Sequence, residues 1–457
     1  MGYKSFGNHT KTKMDAMPII NQKKPHVLFI PVPAQSHIKC MLKLARLLNH
    51  KGLEVTFINT QSNHKRLVKS GGTRWLDDTP SFRFKTVPDG VPSSTEDGVE
   101  HTQTIVELWN YMRTNFYNSL LDVLSGLETS VSCIVCDGFM TYTNAMKAAE
   151  MLKIPVILFW TMAACGFIGF YQVKVLKEKE LLPLKVVVDG VEGGDNGGDE
   201  SDLTTEYLDM EIDWIPGMEG LLLKELPEFM RYSKPEDPSF KYLLETAQAA
   251  DNVSHIIIHT FEELEAKLVK GIKSIFPNIY TVGPLQLHLN QITKMETKNF
   301  DLDCYSLWKE EPECVQWLQS KEPNSVVYVN FGSITVMSLQ ELLEFGWGLV
   351  NSNLYFLWII RTDLVDGEPA VLPQELYEAM SEKGFIGSWC SQEEVLNHPA
   401  VGGFLTHGGW GSIIESLSAG VPMICWPFSG DQLINCRQMC KEWEVGMEIE
   451  RPECEEG

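Results

Sequence analysis

Long hydrophobic runs are missing from this chain: no stretch reaches the roughly 18–20 unbroken apolar residues that a membrane-spanning helix needs. The nearest, VILFWTMAACGFIGF from Val156 to Phe170, is shorter and carries Trp, Thr and two glycines. It reads as a buried strand running into a helix. Positive charge is also scarce, with 38 Lys and Arg against 61 Asp and Glu and a formal net charge of −23. That field repels a phosphate backbone, so nucleic acid is not expected as a partner. A secretory leader is missing too. The first 24 residues carry positive charges but no apolar h-region, and they read as a disordered leader with Met14 or Met17 as alternative starts.

A disulfide framework is a further absence. The 11 cysteines are scattered, and Cys40, Cys133, Cys165 and Cys425 sit inside apolar runs, as reduced core thiols of a cytoplasmic protein would. Cys133-Ile-Val-Cys136 has the CxxC spacing, but it lies in a strand-like run without a second pair, so no zinc or redox role is assigned. The turn after the first strand reads PVPAQSHI and lacks the GxGxxG fingerprint of dinucleotide enzymes. A nicotinamide or flavin oxidoreductase is thereby disfavoured.

What is present is an α/β pattern repeated in two halves. At 457 residues the chain exceeds what one core usually serves. HVLFIPV (His26 to Val32) reads as a strand buried on both faces. Ile38, Met41, Leu42, Ala45 and Leu48 then recur at helical spacing, and LEVTFINT (Leu53 to Thr60) is a second strand. The pattern returns through SCIVCD, NAMKAAEMLKI and PVILFW, and IIIHTFEEL (Ile256 to Leu264) reads as the last strand of this half. The expected divisions are an N-terminal domain over 25–284 with an acidic, Gly-rich loop at 187–206, a linker over 285–324, and a second α/β domain over 325–457. That second domain opens with SVVYVNFGS, a helix from Ser338 to Val350 and the strand Tyr355 to Ile360. Two doubly wound sheets facing each other would bury a ligand between the C-terminal ends of their strands.

The richest segment is WCSQEEVLNHPAVGGFLTHGGWGSIIESLSAGVPMICWPFSGDQ, Trp389 to Gln432. His407 ends a strand, and Gly408, Gly409 and Gly411 allow close backbone approach to a helix starting near Ser412, whose N-terminus favours an anion such as a diphosphate. Glu415 can accept hydrogen bonds from vicinal hydroxyls, Trp389 can stack on a base, and Asp431 with Gln432 can grip a sugar. Each residue alone reads more simply as core or as an ordinary hydrogen-bonding group. Together, in this order, they describe a site for a nucleotide sugar.

These 44 residues resemble the plant secondary product glycosyltransferase box, which begins with a stacking Trp and ends with Asp-Gln. FIPVPAQSHIKCMLKLARLL, IDWIPGM and KEEPECVQWLQSKEPNSVVYVNFGS extend the resemblance, so the chain is similar over nearly its whole length to plant family-one UDP-sugar glycosyltransferases, nearest to those that glucosylate diterpenoids such as steviol. The resemblance implies the GT-B fold, two facing Rossmann-like domains, and inverting transfer from UDP-glucose without a metal. It implies that His37 is the general base and Asp137 its partner. A neutral imidazole can take a hydroxyl proton near neutral pH, and a carboxylate behind it fixes the tautomer. It further implies that Cys390 meets uracil through its backbone and that Gln392 and Glu415 hold the ribose. His407, Ser412, Ser333 and the backbone near Gly411 would meet the phosphates. Thr161, Trp410, Asp431 and Gln432 would meet the sugar, with the final Gln indicating glucose. Asp301-Leu302-Asp303 has the DxD spacing of a manganese site, but it lies in the linker without a preceding strand and reads as solvated charge.

Phe139, Met140, Met162, Phe167 and Phe170 are candidates for an apolar acceptor pocket, set against their plainer reading as core. The expected partners are a UDP-sugar and a small hydrophobic acceptor, with the protein a monomer. Three departures stand out. Gly408 and Gly411 occupy positions where the family carries Cys and Asn, and Gly430 stands where a larger residue borders the sugar. The family also continues beyond EVGMEI with further helices, whereas this chain ends at RPECEEG, so the last domain reads as shortened and the cleft as less braced. The sequence therefore keeps two readings open: an O-glucosyltransferase, or a homologue that binds its ligands with little or no turnover.

Overall fold

The structure, a computed structural model, describes residues 24–73, 76, 79–89, 105–143, 145–182, 208–227, 238–295, 305–366 and 369–449. The acidic loop, the DxD triplet, the leader up to residue 23 and the last residues lie outside this set.

Strands buried on both faces must be continuously apolar, and the chain forms parallel strands where its short apolar runs fall. The first half contributes β1 (His26–Ile30), β2 (Glu54–Thr60), β3 (Phe82–Val87), β4 (Cys133–Asp137) and β5 (Val156–Trp160). A small antiparallel pair follows, β6 (Glu211–Ile212) and β7 (Leu221–Leu222), then β8 (His255–Ile258) and β9 (Ile279–Thr281). The large sheet runs β3-β2-β1-β4-β5-β8-β9. The second half contributes β10 (Val326–Asn330), β11 (Tyr355–Ile359), β12 (Gly384–Gly387), β13 (Val401–Thr406), β14 (Met423–Cys425) and β15 (Gly446–Glu448), in the order β12-β11-β10-β13-β14-β15. The pairs on either side of β1 and of β10 are parallel.

Both sheets reverse their winding beside their first strand, between β1 and β4 and between β10 and β13. Helices leave opposite faces there, and the strand ends splay into a crevice. The expectation of two doubly wound sheets holds, and the two crevices are where the candidate residues gather.

Two expectations need correction. The strand after Asn252 is not the last of its sheet, because β9 adds a further edge through Ile256↔Ile279 and Ile258↔Thr281. Three residues are too few to show a period. The segment 285–324 is more than a connector: it holds the helices Leu285–Met295 and Glu313–Leu318. Leu285 and Leu289 join the core formed by Ile38, Met41 and Ala45. Gln286 donates to the Ile414 carbonyl and to Ser418 Oγ, so this helix touches both halves.

The Gln35–His50 helix is likewise buried on two sides. Its apolar stripe lies on the sheet, while Lys43 and Arg46, 4% and 5% exposed, are covered at the seam. Among the described residues no helix is long and apolar enough to cross a membrane.

Candidate active site

A cavity of about 600 Å³ opens between the two halves, with walls from both crevices. On the first side, the turn after β1 starts the helix that carries His37, and β4 ends on Asp137. Their meeting follows from β1 and β4 being neighbours. His37 Nδ1 lies 2.7 Å from Asp137 Oδ2, with His37 21% exposed and Asp137 fully buried. The other Asp137 oxygen accepts the Phe139 N–H at 3.1 Å. With Nδ1 facing a carboxylate, the imidazole proton sits on Nδ1 and the Nε2 lone pair is left for a substrate proton. Burial works against protonation of His37, but Asp137, helped by Asp431, outweighs it and raises the pKa above the usual 6.5. Thr161, just past β5, places Oγ1 2.9 Å from the same Nδ1. In this structure its hydroxyl steadies the imidazole.

On the second side, β10 runs into the turn that carries Ser333, and His407 follows the last residue of β13. Gly332 has φ +80°, and a Cβ there would stand 2.5 Å from His407 Nε2, so only glycine lets the turn pass the imidazole. Arg361, which sequence reasoning missed, fixes this turn from below. Its Nη1 donates to the Gly332 carbonyl, Nη2 to the Thr335 carbonyl at 2.8 Å, and Nε to Asp363 at 2.9 Å. Burial, and then the charge of Arg361, push His407 down to about 4, so it is neutral at physiological pH.

The helix expected near Ser412 begins two residues earlier and spans Trp410–Ala419. The Ser412 N–H is already bonded to the Gly409 carbonyl at 3.0 Å, which leaves Ser412 its hydroxyl to offer. Trp410 lines the cavity as well, and its Nε1 donates to the His259 carbonyl at 2.6 Å, so its indole is held across the domain seam. Gly408 has φ +79°, and a Cβ would meet Cys425 Sγ at 2.7 Å, which explains glycine at this position. Gly411 has open space where a Cβ would be.

Gln392 Nε2 reaches Ser412 Oγ at 3.1 Å and Glu415 Oε2 at 2.9 Å, while its carbonyl accepts from Asn330 at 3.0 Å. Cys390 is buried, with Sγ 3.4 Å from the Tyr328 hydroxyl. Trp389 lines the cavity with one face covered by Trp308, ring centroids 4.7 Å apart. Gln432 Oε1 accepts the N–H groups of Phe428 and Ser429 at 2.7 and 3.1 Å. Its NH₂ therefore remains to donate. Asp431 lines the cavity beside Gly166, held by Asn435 at 3.0 Å, and burial raises its pKa.

Of the acceptor candidates, Phe139, Met162 and Phe170 reach the cavity wall. Met140 and Phe167 do not. Phe167 packs on Trp160 and Phe276, with centroids 5.1 and 5.7 Å away, and Met140 is 1% exposed in the core. The helix Ala164–Tyr171 is buried on every side, so burial alone could not separate its wall-facing residues from its core-facing ones. Sequence reasoning also missed Lys39 and His259. His259 lines the cavity with neither ring nitrogen partnered among the described residues, and burial pushes it down to about 3. Among the described residues no group of three or more His, Cys, Asp or Glu could hold a metal.

Two facing doubly wound sheets, with a His–Asp pair at one crevice and a Gly-rich helix start at the other, define a glycosyltransferase of the GT-B fold. The family described as "UDP-glucoronosyl and UDP-glucosyl transferase" matches residues 242–451. UDP-glycosyltransferase 85C1 of Stevia rebaudiana is 68% identical over 95% of this chain and 87% of its own length. The 7-deoxyloganetin glucosyltransferase of Catharanthus roseus is 47% identical over 93% of this chain and 85% of its own. A solved anthocyanidin 3-O-glucosyltransferase in complex with UDP superposes with TM-score 0.69 at 26% identity, covering 93% of this chain and 86% of that one. The chain belongs to the UDP-glycosyltransferase family and is a glycosyltransferase.

Proposed function

We propose that the protein transfers glucose from UDP-glucose to a hydroxyl of a small hydrophobic plant metabolite, with inversion and without a metal. The observation that carries this reading is the 2.7 Å pair of His37 and Asp137 on the wall of a cavity whose opposite wall holds Ser333, His407, the start of the Trp410–Ala419 helix and Asp431-Gln432. The acceptor O–H gives its proton to His37 Nε2 while its oxygen attacks the anomeric carbon from the face opposite UDP. The bond from that carbon to the diphosphate breaks, an α-linked donor yields a β-glucoside, and Asp137 stabilises the imidazolium. Charge arriving on UDP meets the helix N-terminus, the Ser333 and Ser412 hydroxyls and neutral His407. Gln392 and Glu415 would hold the ribose, Trp389 would stack on uracil beside the Cys390 backbone, and Trp410, Asp431 and Gln432 would meet glucose. Thr161 would turn to the sugar once it arrives.

In this reading residues 25–284 serve the acceptor and 325–457 the donor, joined through 285–324. Phe139, Met162 and Phe170 suit an apolar acceptor, a terpenoid first and a flavonoid or other phenolic next. The relative that acts on 7-deoxyloganetin points the same way. The nine described cysteines are free, which supports work in the cytoplasm; in this reading the protein acts as a monomer. Incubation with UDP-glucose and a panel of diterpenoid and flavonoid acceptors, read by mass spectrometry, tests the proposal. The expected result is a hexosylated product whose rate of formation falls about 10²–10⁴-fold in His37→Ala. Tight UDP binding with no product from the wild-type chain would favour a binding protein instead.

A further inference from the structure

Lys39 stands two residues after His37, on the first half, yet its ammonium crosses the cleft. Its Nζ lies 2.8 Å from Glu393 Oε1 and 2.7 Å from Glu415 Oε1. Lys43, one turn on, pairs with Glu393 and stands 3.8 Å from Glu415. The second Glu415 oxygen is taken by Gln392 Nε2 at 2.9 Å. The carboxylate is thus gripped from both sides, once by each half of the molecule.

We propose that Lys39 is a positioning residue for the nucleotide, holding Glu415 across the cleft in the orientation that accepts the ribose hydroxyls. This rests on reading the cleft as a UDP-sugar site. The physical reason is charge. Glu393 and Glu415 share one ammonium, so their carboxylates stand no farther apart than two ion-pair lengths. Remove that cation and two like charges face each other in a buried seam with Lys43 alone between them. One must then swing away or take a proton, and either change weakens its acceptance of a hydroxyl. Burial opposes the charge on Lys39, but Glu393 and Glu415 outweigh it and raise its pKa, so the ammonium persists throughout the working pH range. Each carboxylate oxygen still has a lone pair for a sugar hydroxyl while it holds Lys39 or Gln392. Donor binding therefore adds to the network without dismantling it.

Calorimetric titration of the full chain with UDP and with 2′-deoxy-UDP tests this. Wild type should prefer UDP. Lys39→Met should bind UDP about tenfold more weakly and 2′-deoxy-UDP nearly as before, so that the preference collapses. Lys39→Arg should keep the preference. Lys39→Gln, which retains a donor without the charge, should repeat the collapse if the Met variant does not fold. Equal weakening of both nucleotides in a variant that melts like wild type would overturn the proposal. So would UDP binding that is unchanged or tighter, since the lysine would then be a bystander or a competitor. Loss of the preference in Lys39→Arg would refute a role based on charge. Absence of UDP binding by the wild-type chain would defeat the reading of the cleft itself, a result distinct from all of these.

Discussion

In the proposed reaction a single carboxylate behind a single imidazole sets the proton chemistry. Because Asp137 raises the His37 pKa above 6.5, the base is increasingly protonated, and lost, as pH falls through that raised value. In Asp137→Asn the pKa should drop, so the acid limb of the kcat/KM profile should move to lower pH while the plateau falls by about a hundredfold or more. A pH profile of glucoside formation reads both effects, and an acid limb that stays in place would assign it to another group. Gly411 offers the opposite kind of change. Space is open where its Cβ would be, so Gly411→Asn should fit and add an amide beside the helix start, tightening UDP binding by about tenfold in calorimetry. The residues of the Trp389–Gln432 segment were legible because consecutive strands and helices, from the Gln392–Leu396 helix through β13 and the Trp410–Ala419 helix to β14, fix their order and spacing. Lys39, His259 and Arg361 were not, because what gives each its meaning lies elsewhere in the chain: Glu393 for Lys39, the Trp410 indole for His259, and the Gly332 and Thr335 carbonyls for Arg361.

Among elements, the turn between β10 and the following helix depends on a residue from outside it. It bends where Gly332 allows, and its carbonyls are closed by Arg361 from the end of β11. Arg361→Met removes the guanidinium that closes the Gly332 and Thr335 carbonyls. It should lower stability by about 2–4 kcal/mol and raise the donor KM more than the acceptor KM. Denaturant unfolding and steady-state kinetics check the two parts. Elements with a clear period or a continuous apolar run, such as β1, β10 and the Leu339–Ser352 helix with its Ser338–Glu341 capping box, were readable from residues alone. β9 was not, since three residues show no period, nor was the Leu285–Met295 helix, which lies in a stretch where the periodicity weakens.

For the whole molecule, the two halves are tied away from the active site as well as at it. Arg437, 5% exposed, donates to Glu225 Oε2 at 3.0 Å and to the Glu219 carbonyl at 2.7 Å, and Lys441 reaches Glu225 Oε1 at 2.7 Å. Breaking a buried pair on one side costs about 3–5 kcal/mol. Glu225→Gln should therefore lower the melting temperature and split a single calorimetric transition into two, one for each half; a lower but still single transition would show that other contacts suffice. The bond from the Trp410 indole to the His259 carbonyl has a different consequence. It fastens the helix start that would receive the diphosphate to the end of a strand in the opposite half. We predict from this that spent UDP leaves as the seam parts and that this motion limits turnover. kcat should fall in proportion to solvent viscosity as sucrose is added, and in Trp410→Phe that dependence should fade.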